Sequence, residues 1–327
     1  MAEFDLIEVL RSRCRQARTD VALGIGDDAA VLAVPAGCEL VVCTDTLVAG
    51  VHFPLRTDAA DIGWKALAVN LSDLAAMGAT PAWATLALTL PHADREFVER
   101  FAGGFAELAA QHELALVGGD TTSGPLTVSV SAFGFVPTGA ALRRDGARIG
   151  DAVVVTGTIG DGAAGLCCAG AQGEDSAILA SAPEAARARL RAHLDRPQPR
   201  IAIGESLRGR ASACIDVSDG LVADLGHVAR ASGVGIEVES ARIPASSAFV
   251  AAVAPDRRLA LQLTGGDDYE LAFTVAEDEA EALFGALRDT GVPVTRIGRV
   301  IRGSGVRVLD PDGSAVDVPR GGWEHFR

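Results

Sequence analysis

Apolar residues in the first 137 positions follow two spacings, one typical of helices and one typical of strands. Helical spacing predicts helices over 4–18, 58–77 and 94–111. Asp58 is a good N-cap for the second of these helices, and Gly78 is a suitable stop for it. Strand spacing predicts strands over 30–34, 40–42, 83–90, 114–117 and 126–136. This part of the sequence therefore predicts a compact α+β unit.

The segment 137–150 is rich in Gly and Arg and lacks apolar periodicity, which predicts a junction between a domain at 1–137 and a domain at 138–327. Beyond the junction, strands alternate with helices. The predicted strands are 152–155, 213–217, 235–238, 270–274 and 293–297, and the predicted helices include 219–231 and 277–289. This alternation is typical of a layered α/β domain. The predicted fold class is therefore α/β in two domains, of which the first has an α+β character.

Length and composition support two folded domains, because the chain has 327 residues, of which 49% are hydrophobic and 22% are charged. The formal net charge of −14 argues against nucleic acid as a partner, since phosphate backbones attract basic surfaces. No uninterrupted apolar stretch is long enough to cross a bilayer, and the start of the chain mixes acidic with basic residues, unlike a signal peptide. We therefore expect a soluble, cytoplasmic protein with no membrane partner.

Lysine is nearly absent, and this excludes a common nucleotide-binding device. The only lysine is Lys65, in Trp64-Lys65-Ala66, so the Gly-Lys-Ser/Thr of a Walker-type phosphate loop cannot form. The signatures of protein kinases are also missing. An acidic chain that binds an anionic ligand without such a loop needs a metal ion to do so.

Aspartates recur in glycine-flanked or hydroxyl-flanked clusters at the ends of the predicted apolar runs. The clusters are Gly26-Asp27-Asp28, Thr44-Asp45-Thr46, Gly118-Gly119-Asp120, Asp216-Val217-Ser218-Asp219-Gly220 and Gly265-Gly266-Asp267-Asp268. An Asx turn explains any single cluster equally well. Their recurrence beside Thr and Ser favours a hard-cation site, because such sites draw oxygen ligands from several segments. The sequence therefore predicts a site for Mg²⁺ with a polyphosphate.

Several further residues are candidates with a competing structural explanation. Asp73 lies in an otherwise apolar helix, where burial of its carboxylate is costly unless it is paired or binds metal. Arg144, next to Arg143 at the predicted junction, either clamps a phosphate or lies in a solvated turn. His52 is either a substrate contact or a structural histidine. Trp323 is either a core residue or a stacking surface for a flat ring.

Two glycine patterns imitate dinucleotide-binding fingerprints. They are Gly24-Ile25-Gly26-Asp27-Asp28-Ala29 and Gly160-Asp161-Gly162-Ala163-Ala164-Gly165. The first precedes a strand instead of a helix and would set two carboxylates against a pyrophosphate. The second follows a predicted strand and opens a helix, but no second parallel strand ending in an acidic residue follows that helix. The patterns therefore disfavour a nicotinamide-dependent enzyme.

The ordered motifs of the chain resemble those of the thiamine-monophosphate kinase family, within the superfamily that includes aminoimidazole ribonucleotide synthetase. The matching stretches are GIGDDAAVL at 24–32, TDTLVAGVHF at 44–53, KALAVNLSDLAAMGATPAW at 65–83, GGDTTSGPL at 118–126, IDVSDGL at 215–221, GGDDYEL at 265–271 and GWEHF at 322–326. The resemblance implies an N-terminal four-stranded sheet with helices that forms a barrel across a homodimer. It also implies a C-terminal layered α/β domain and an active site in the cleft where the domains meet.

The resemblance also implies roles for individual residues. Several Mg²⁺ ions around the ATP phosphates would be held by Asp28, Thr44, Asp45, Asp73, Asp120, Asp216 and Asp219. Contacts to ATP would come from Gly119, Asp120, Arg144 and Ser218, and contacts to thiamine monophosphate from His52, Asp267 and Trp323. Two positions depart from the family pattern: Cys43 replaces a serine that offers a metal-binding carbonyl, and Asp267 replaces a glutamate. The first change keeps the carbonyl, whereas the second shortens the side chain by one methylene.

The reaction implied by the resemblance is transfer of the γ-phosphoryl group of ATP to thiamine monophosphate. Because the second pKa of a phosphate monoester is about 6, the acceptor is largely ionised at neutral pH and needs no catalytic base. We therefore expect direct in-line transfer with no catalytic acid–base residue and no phosphoenzyme. Two alternatives stay open: another ATP-dependent activating enzyme of the same superfamily, and a non-catalytic divalent-metal-binding module.

Overall fold

A computed structural model describes residues 3–14, 16–170, 179 and 182–318. The chain divides into two compact units. Unit 1 comprises the residues up to Leu74 together with Ala79–Ala141, and unit 2 comprises Ala75–Gly78 and the residues from Leu142 onward. None of the described helices is both long enough and apolar enough to span a membrane.

Unit 1 combines helices with a four-stranded sheet and a short hairpin. In chain order the elements are α1 (Glu3–Arg13), β1 (Val21–Leu23), β2 (Val31–Leu32), β3 (Cys38–Val48), α2 (Ala59–Ala76, whose last residues belong to unit 2), β4 (Thr80–Leu90), α3 (Arg95–Gln111), β5 (Ala115–Ser123) and β6 (Thr127–Pro137). Asp94 caps α3 by accepting a hydrogen bond from the Phe97 N–H over 3.1 Å. The helices predicted over 58–77 and 94–111 are confirmed.

The sheet of unit 1 has the strand order β3-β6-β4-β5, in which β4 and β5 are parallel and the other pairs are antiparallel. Side chains alternate between its two faces. On one face Leu86 and Val130 lie opposite each other and are buried. The other face, which we call the open face, carries Leu40, Val42, Thr44, Thr46, Thr85, Ser129, Ser131 and Asp120. The four-stranded sheet predicted for the N-terminal domain is confirmed.

Strands β3 and β5 run further than their apolar patterns predict. The prediction that Asp45 and Asp120 follow strand ends is wrong, because both lie within strands. The residues that continue each strand on the open face are polar, so a search for apolar spacing does not recognise them as part of the strand. Gly119 resembles a turn signal, yet it is required by packing, since a Cβ atom there would lie 1.9 Å from the carbonyl oxygen of Leu86. Helix α1 also ends earlier than predicted, at Arg13.

Unit 2 is built on a six-stranded sheet. Its elements are β7 (Ala152–Thr156), α4 (Asp161–Cys168), α5 (Glu184–Asp195), α6 (Ile201–Leu207), β8 (Ala213–Val217), α7 (Leu221–Ser232), β9 (Gly235–Glu239), α8 (Ser247–Ala252), α9 (Pro255–Thr264), β10 (Glu270–Val275), α10 (Ala280–Leu287), β11 (Val294–Ile301) and β12 (Gly305–Leu309). The strand order is β12-β9-β11-β7-β10-β8, with β12 and β9 parallel and the other pairs antiparallel. Every predicted strand is confirmed, and the mixed α/β fold in two domains is confirmed with them.

The buried centre of this sheet sets the position of three loops. Strands β7, β8 and β10 are buried along their whole length. Because β10 is antiparallel to both β7 and β8, its first residue lies at the sheet edge where those two strands end. The loop before β10 (265–269), the turn after β8 (218–220) and the loop after β7 (157–160) therefore share one edge of the sheet.

Candidate active-site residues

The open face of unit 1 carries Asp120 among small polar side chains. Asp120 shares a row across the strands with Ser129 and Thr46, whose Oγ and Oγ1 atoms are 2.7 Å apart. In the next row on this face, Thr44 Oγ1 and Ser131 Oγ are 2.8 Å apart. Asp120 and Thr44 are both exposed. This face therefore offers the carboxylate and hydroxyl oxygens that Mg²⁺ prefers.

Asp45 belongs to the opposite face of the sheet, beside helix α2. The N–H of Asp45 donates to Oδ1 of Asn70 over 3.2 Å, and Asn70 is fully buried, with Nδ2 donating to the carbonyl of Ala66 over 3.0 Å. Asp73 follows Asn70 by about one helical turn and lies on the same side of α2. The structure therefore places Asp45 and Asp73 next to Asn70, while Asp120 lies on the other face of the sheet.

Asp28 lies in the loop between β1 and β2. Ile25 of this loop and Asp120 line the same pocket of about 50 Å³, together with Leu10 of α1. The loop therefore lies beside strand β5. Oδ1 of Asp27 accepts the N–H of Asp28 over 2.8 Å, so the side chain of Asp27 stabilises the turn. Asp28 itself is exposed.

His52 lies in the loop between β3 and α2 and has a structural role. Its Nδ1 accepts the N–H of Val48 over 3.0 Å, so the proton of the neutral ring is on Nε2. The carbonyl oxygen of His52 accepts a hydrogen bond over 3.3 Å from Nζ of Lys65, whose side chain is buried. The structural explanation of His52 is therefore correct, and a substrate contact through Nε2 is compatible with it.

In unit 2, a buried carboxylate organises the turn after β8. Oδ2 of Asp224, in the first turn of α7, accepts the N–H groups of Ser218, Asp219 and Gly220 over 3.0, 3.1 and 3.2 Å. Burial, followed by the charges of Asp216 and Asp219, raises the pKa of Asp224 to about 8. Negative charge is therefore concentrated at this turn, and a bound cation would stabilise it.

Arg144 acts electrostatically at the same turn. Burial and then the charge of Arg144 lower the pKa of His227 on α7, while the charge of Asp219 acts in the opposite direction. The carbonyl oxygen of Arg144 accepts a hydrogen bond from Ser232 Oγ over 2.9 Å, which fixes its backbone against the end of α7. Arg144 and Asp219 therefore both lie within electrostatic range of one helix face in unit 2.

The second glycine fingerprint does not offer an anion site. Gly160 and Gly162, at the start of α4, donate their N–H groups to the two carboxylate oxygens of Asp268 over 2.8 and 2.9 Å. Asp268 is 1% exposed, and this burial raises the pKa of its carboxyl group well above the ordinary range. The N–H groups that a pyrophosphate would need are therefore occupied by a carboxylate of the chain itself.

Asp267 lies in the loop before β10, beside the turn that contains Ser218. The N–H of Tyr269 donates to the carbonyl oxygen of Val217 over 2.8 Å. Gly266 approaches so closely that a Cβ atom there would lie 2.3 Å from the carbonyl oxygen of Ser218. Within unit 2, one edge of the sheet therefore collects the candidates Asp216, Ser218, Asp219 and Asp267.

The remaining expectations have different outcomes. Trp323 lies outside the described residues. In the described part of the chain, no three His, Cys, Asp or Glu side chains lie close enough to form a metal site by themselves, so Mg²⁺ binding stays a prediction. Sequence reasoning misses Asp224, and it places Asp268 in a cation-binding cluster, whereas the structure shows that Asp268 accepts the N–H groups of Gly160 and Gly162. The only signal for Asp224 is its place in the first turn of a helix, where a carboxylate interacts favourably with N–H groups.

Known proteins resemble this chain over almost its whole length. The family model for the N-terminal domain of AIR synthase related proteins matches residues 26–136, and the model for their C-terminal domain matches residues 148–310. The thiamine-monophosphate kinase of Escherichia coli (strain K12) is 47% identical over 329 residues, which cover 99% of this chain and 98% of that protein.

Two solved structures share the fold. The crystal structure of thiamine-monophosphate kinase from Stenotrophomonas maltophilia K279a is 51% identical, with a TM-score of 0.86 and coverage of 97% of this chain and 98% of that chain. AaThiL complexed with AMPPCP and TMP is 34% identical, with a TM-score of 0.76 and coverage of 99% and 97%. The chain therefore belongs to the thiamine-monophosphate kinase family of AIR synthase related proteins, and it is an enzyme of the phosphotransferase class.

Proposed function

We propose that this protein transfers the γ-phosphoryl group of ATP to thiamine monophosphate, releasing thiamine diphosphate and ADP. The observation that carries the proposal is the similarity over almost the whole chain to thiamine-monophosphate kinases, together with the likeness to AaThiL complexed with AMPPCP and TMP. The polar open face of unit 1 and the acidic loop edge of unit 2 support it, because both present the oxygen atoms that such a reaction requires.

Each unit offers oxygen ligands that would bind Mg²⁺. In unit 1 these ligands are Asp28, Thr44, Asp45, Asp73 and Asp120, and in unit 2 they are Asp216 and Asp219. The donor set fits Mg²⁺, because every donor is an oxygen atom. Asp216 and Asp219 both lie at the unit 2 turn, and their charges add to the effect of burial in raising the pKa of the neighbouring Asp224. When bound, Mg²⁺ supplies positive charge that offsets the repulsion between two phosphorylated substrates.

Other groups would complete the nucleotide site. Gly119 is exposed, so a ligand can contact its backbone. The hydroxyl of Ser218 can donate to a phosphate oxygen. The guanidinium of Arg144 can donate two parallel hydrogen bonds to a phosphate. We therefore assign ATP contacts to these three residues and to Asp120.

The acceptor would contact His52, Asp267 and Trp323. Nε2–H of His52 can donate a hydrogen bond to the substrate, and the carboxylate of Asp267 is complementary to the cationic thiazolium ring. The indole of Trp323 suits stacking against a ring. The phosphate of thiamine monophosphate is itself the nucleophile and is largely ionised at pH 7, so no side chain has to accept its proton. The transfer is direct and in line, and no phosphoenzyme forms.

We also propose that two copies of the chain associate through the unit 1 sheet to form a barrel. Leu40 and Val42, on the open face, are 43% and 54% exposed. Adjacent large apolar side chains with this exposure are typical of a surface that a partner covers. Light scattering should give the mass of a dimer for the wild type and the mass of a monomer for Val42→Asp.

A comparison of acceptors tests the reaction. The protein is incubated with MgATP and with thiamine monophosphate, thiamine or no acceptor, and ADP and thiamine diphosphate are separated by chromatography. We expect equal amounts of both products with thiamine monophosphate and neither product in the other two mixtures. A further mixture contains a different phosphate monoester as the acceptor, and ADP that forms only in that mixture would identify a sister enzyme. No ADP with any acceptor would indicate a metal-binding module.

A further inference from the structure

The loop that carries Asp267 has a strained backbone. Asp267 and Tyr269 have φ values of 67° and 51°, in the left-handed region. Residues other than glycine adopt this conformation at an energetic cost, and they keep it only where the surroundings enforce it. Asp tolerates this region better than most residues, so an aspartate suits position 267 in the backbone conformation observed. Other contacts must therefore hold the loop in place.

The carboxylate of Asp268 holds the loop on helix α4. Its two carboxyl oxygens accept the N–H groups of Gly160 and Gly162 over 2.8 and 2.9 Å. The contact is tight, since a Cβ atom at Gly162 would lie 2.3 Å from the carbonyl oxygen of Asp267. On the other side, Nε2 of His193 lies 3.2 Å from the carbonyl oxygen of Asp268. Asp268, which lies between the strained residues Asp267 and Tyr269, is therefore held in place through both its side chain and its backbone.

The hydroxyl of Tyr269 orients the side chain of Asp267. It donates to Asp267 Oδ1 over 3.1 Å. Tyr269 is the only tyrosine of the chain. A hydrogen bond to one oxygen restricts rotation of the carboxylate about its χ angles, and so less side-chain freedom has to be lost when a ligand binds. The Asp267 carboxylate is therefore presented to a ligand in one orientation.

We propose that Tyr269 and Asp268 are positioning residues that set the orientation of the Asp267 carboxylate and thereby determine affinity for the cationic organic substrate. This inference rests on the proposed function, in which Asp267 contacts thiamine monophosphate. Tyr269 acts on the side chain of Asp267, and Asp268 acts on its backbone.

Equilibrium binding tests the inference without requiring turnover. Calorimetry measures the Kd of thiamine monophosphate and of MgATP for wild type and for Tyr269→Phe, which removes one hydroxyl and keeps the ring. We expect the Kd of thiamine monophosphate to rise about 5- to 20-fold, as loss of a hydrogen bond to a charged group would give. The Kd of MgATP and the Tm should stay within error of the wild-type values. Ser206→Ala, which removes a hydroxyl bonded to the backbone of α6, is the control and should change neither Kd.

A second variant separates positioning from simple stability. In Asp268→Asn, one acceptor oxygen becomes an NH₂ group, which cannot accept an N–H of α4. We expect weaker thiamine monophosphate binding at temperatures well below the Tm, where the protein is folded. A lowered Tm with unchanged Kd would reduce Asp268 to a structural role and overturn its part of the inference.

The possible failures are distinguishable. If the wild type binds thiamine monophosphate and Tyr269→Phe binds it equally well, the inference is wrong and the proposed function stands. If the wild type does not bind thiamine monophosphate at all, the proposed function is wrong and the inference falls with it.

Discussion

The N–H of Asp267 donates a hydrogen bond to the carbonyl oxygen of Ser218 over 2.9 Å. This bond joins the loop that carries the candidate thiamine monophosphate contact to the turn that carries the candidate ATP contact. Because it lies between main-chain atoms, no side-chain substitution removes it directly. A displacement of either loop is therefore transmitted to the other, and binding of the two substrates should be coupled to the same extent in both directions.

Replacement of Asp120 tests the role of the open face. The side chain is exposed, so Asp120→Asn should leave the Tm unchanged. Loss of its charge should weaken Mg²⁺ binding and lower kcat/KM by at least about 100-fold, which corresponds to about 2.7 kcal/mol of transition-state stabilisation. The measurement is a rate profile against MgCl₂ concentration. The exposed Asp312→Asn is the control, and near-normal rates of Asp120→Asn at saturating Mg²⁺ would contradict the ligand assignment.

Replacement of Asp224 tests the turn after β8. Asp224→Ala leaves the N–H groups of Ser218, Asp219 and Gly220 without their carboxylate acceptor. We expect the turn to move, kcat to fall about tenfold or more, and the MgCl₂ concentration for half-maximal rate to rise. Asp224→Asn keeps one acceptor oxygen and should be intermediate. Asp256→Ala, an exposed aspartate in the first turn of α9, is the matched control, and a wild-type MgCl₂ profile for Asp224→Ala would refute this role.

Two substitutions of His52 separate its structural role from a substrate contact. The amide oxygen of His52→Asn can take the place of Nδ1 and accept the N–H of Val48, but this variant lacks Nε2–H. His52→Ala lacks both groups. We expect Asn to preserve the Tm and to raise the KM for thiamine monophosphate about tenfold, whereas Ala should also lower the Tm. A KM for the Asn variant equal to that of the wild type would make His52 purely structural.

Asp20 should make unit 1 sensitive to acid. Its Oδ1 accepts Nε1–H of Trp83 over 3.1 Å, and Arg18 donates to both carboxylate oxygens. The hydrogen bond from Arg18 is the main cause of the lowered pKa of Asp20. Because the pKa of Asp20 is lower in the folded state, its ionised carboxylate stabilises the fold fully above pH 3.8, the ordinary pKa. This contribution to stability is lost as the pH falls through the lowered pKa.

We therefore expect Asp20→Asn to reduce the free energy of unfolding of unit 1 at pH 7 by about 1.5–3 kcal/mol. The difference from the wild type should shrink below pH 3.8, in urea unfolding followed by tryptophan fluorescence. Asp145→Asn is a matched control, because Asp145 forms an ion pair with Arg143 at the same sequence spacing, but its side chain is 43% exposed compared with 17% for Asp20. If both variants lost the same free energy of unfolding, burial of the Asp20 ion pair would not be the reason for its larger contribution to stability.

Part of this architecture could be predicted from the sequence. Helix α2 could be predicted because its apolar spacing is bounded by the cap residue Asp58 and the stop residue Gly78, and helix α3 could be predicted from its apolar spacing. The ends of β3 and β5 could not, because the polar residues of a half-exposed sheet resemble a loop. The grouping of Asp216 and Asp267 follows from their positions near the end of strand β8 and just before the antiparallel strand β10. The roles of Asp224 and Asp268 could not be predicted, because no sequence pattern states which backbone N–H groups a carboxylate will meet.

The most direct test of the proposed reaction follows the phosphoryl group itself. ATP labelled at the γ-phosphorus is mixed with thiamine monophosphate, Mg²⁺ and an amount of protein larger than that of ATP, and the mixture is quenched over a single turnover. The account predicts that the label moves from ATP to thiamine diphosphate, that ADP forms in equal amount and that no label is bound to protein. ADP formed without labelled thiamine diphosphate, or a labelled protein that passes its phosphate to thiamine monophosphate, would contradict it.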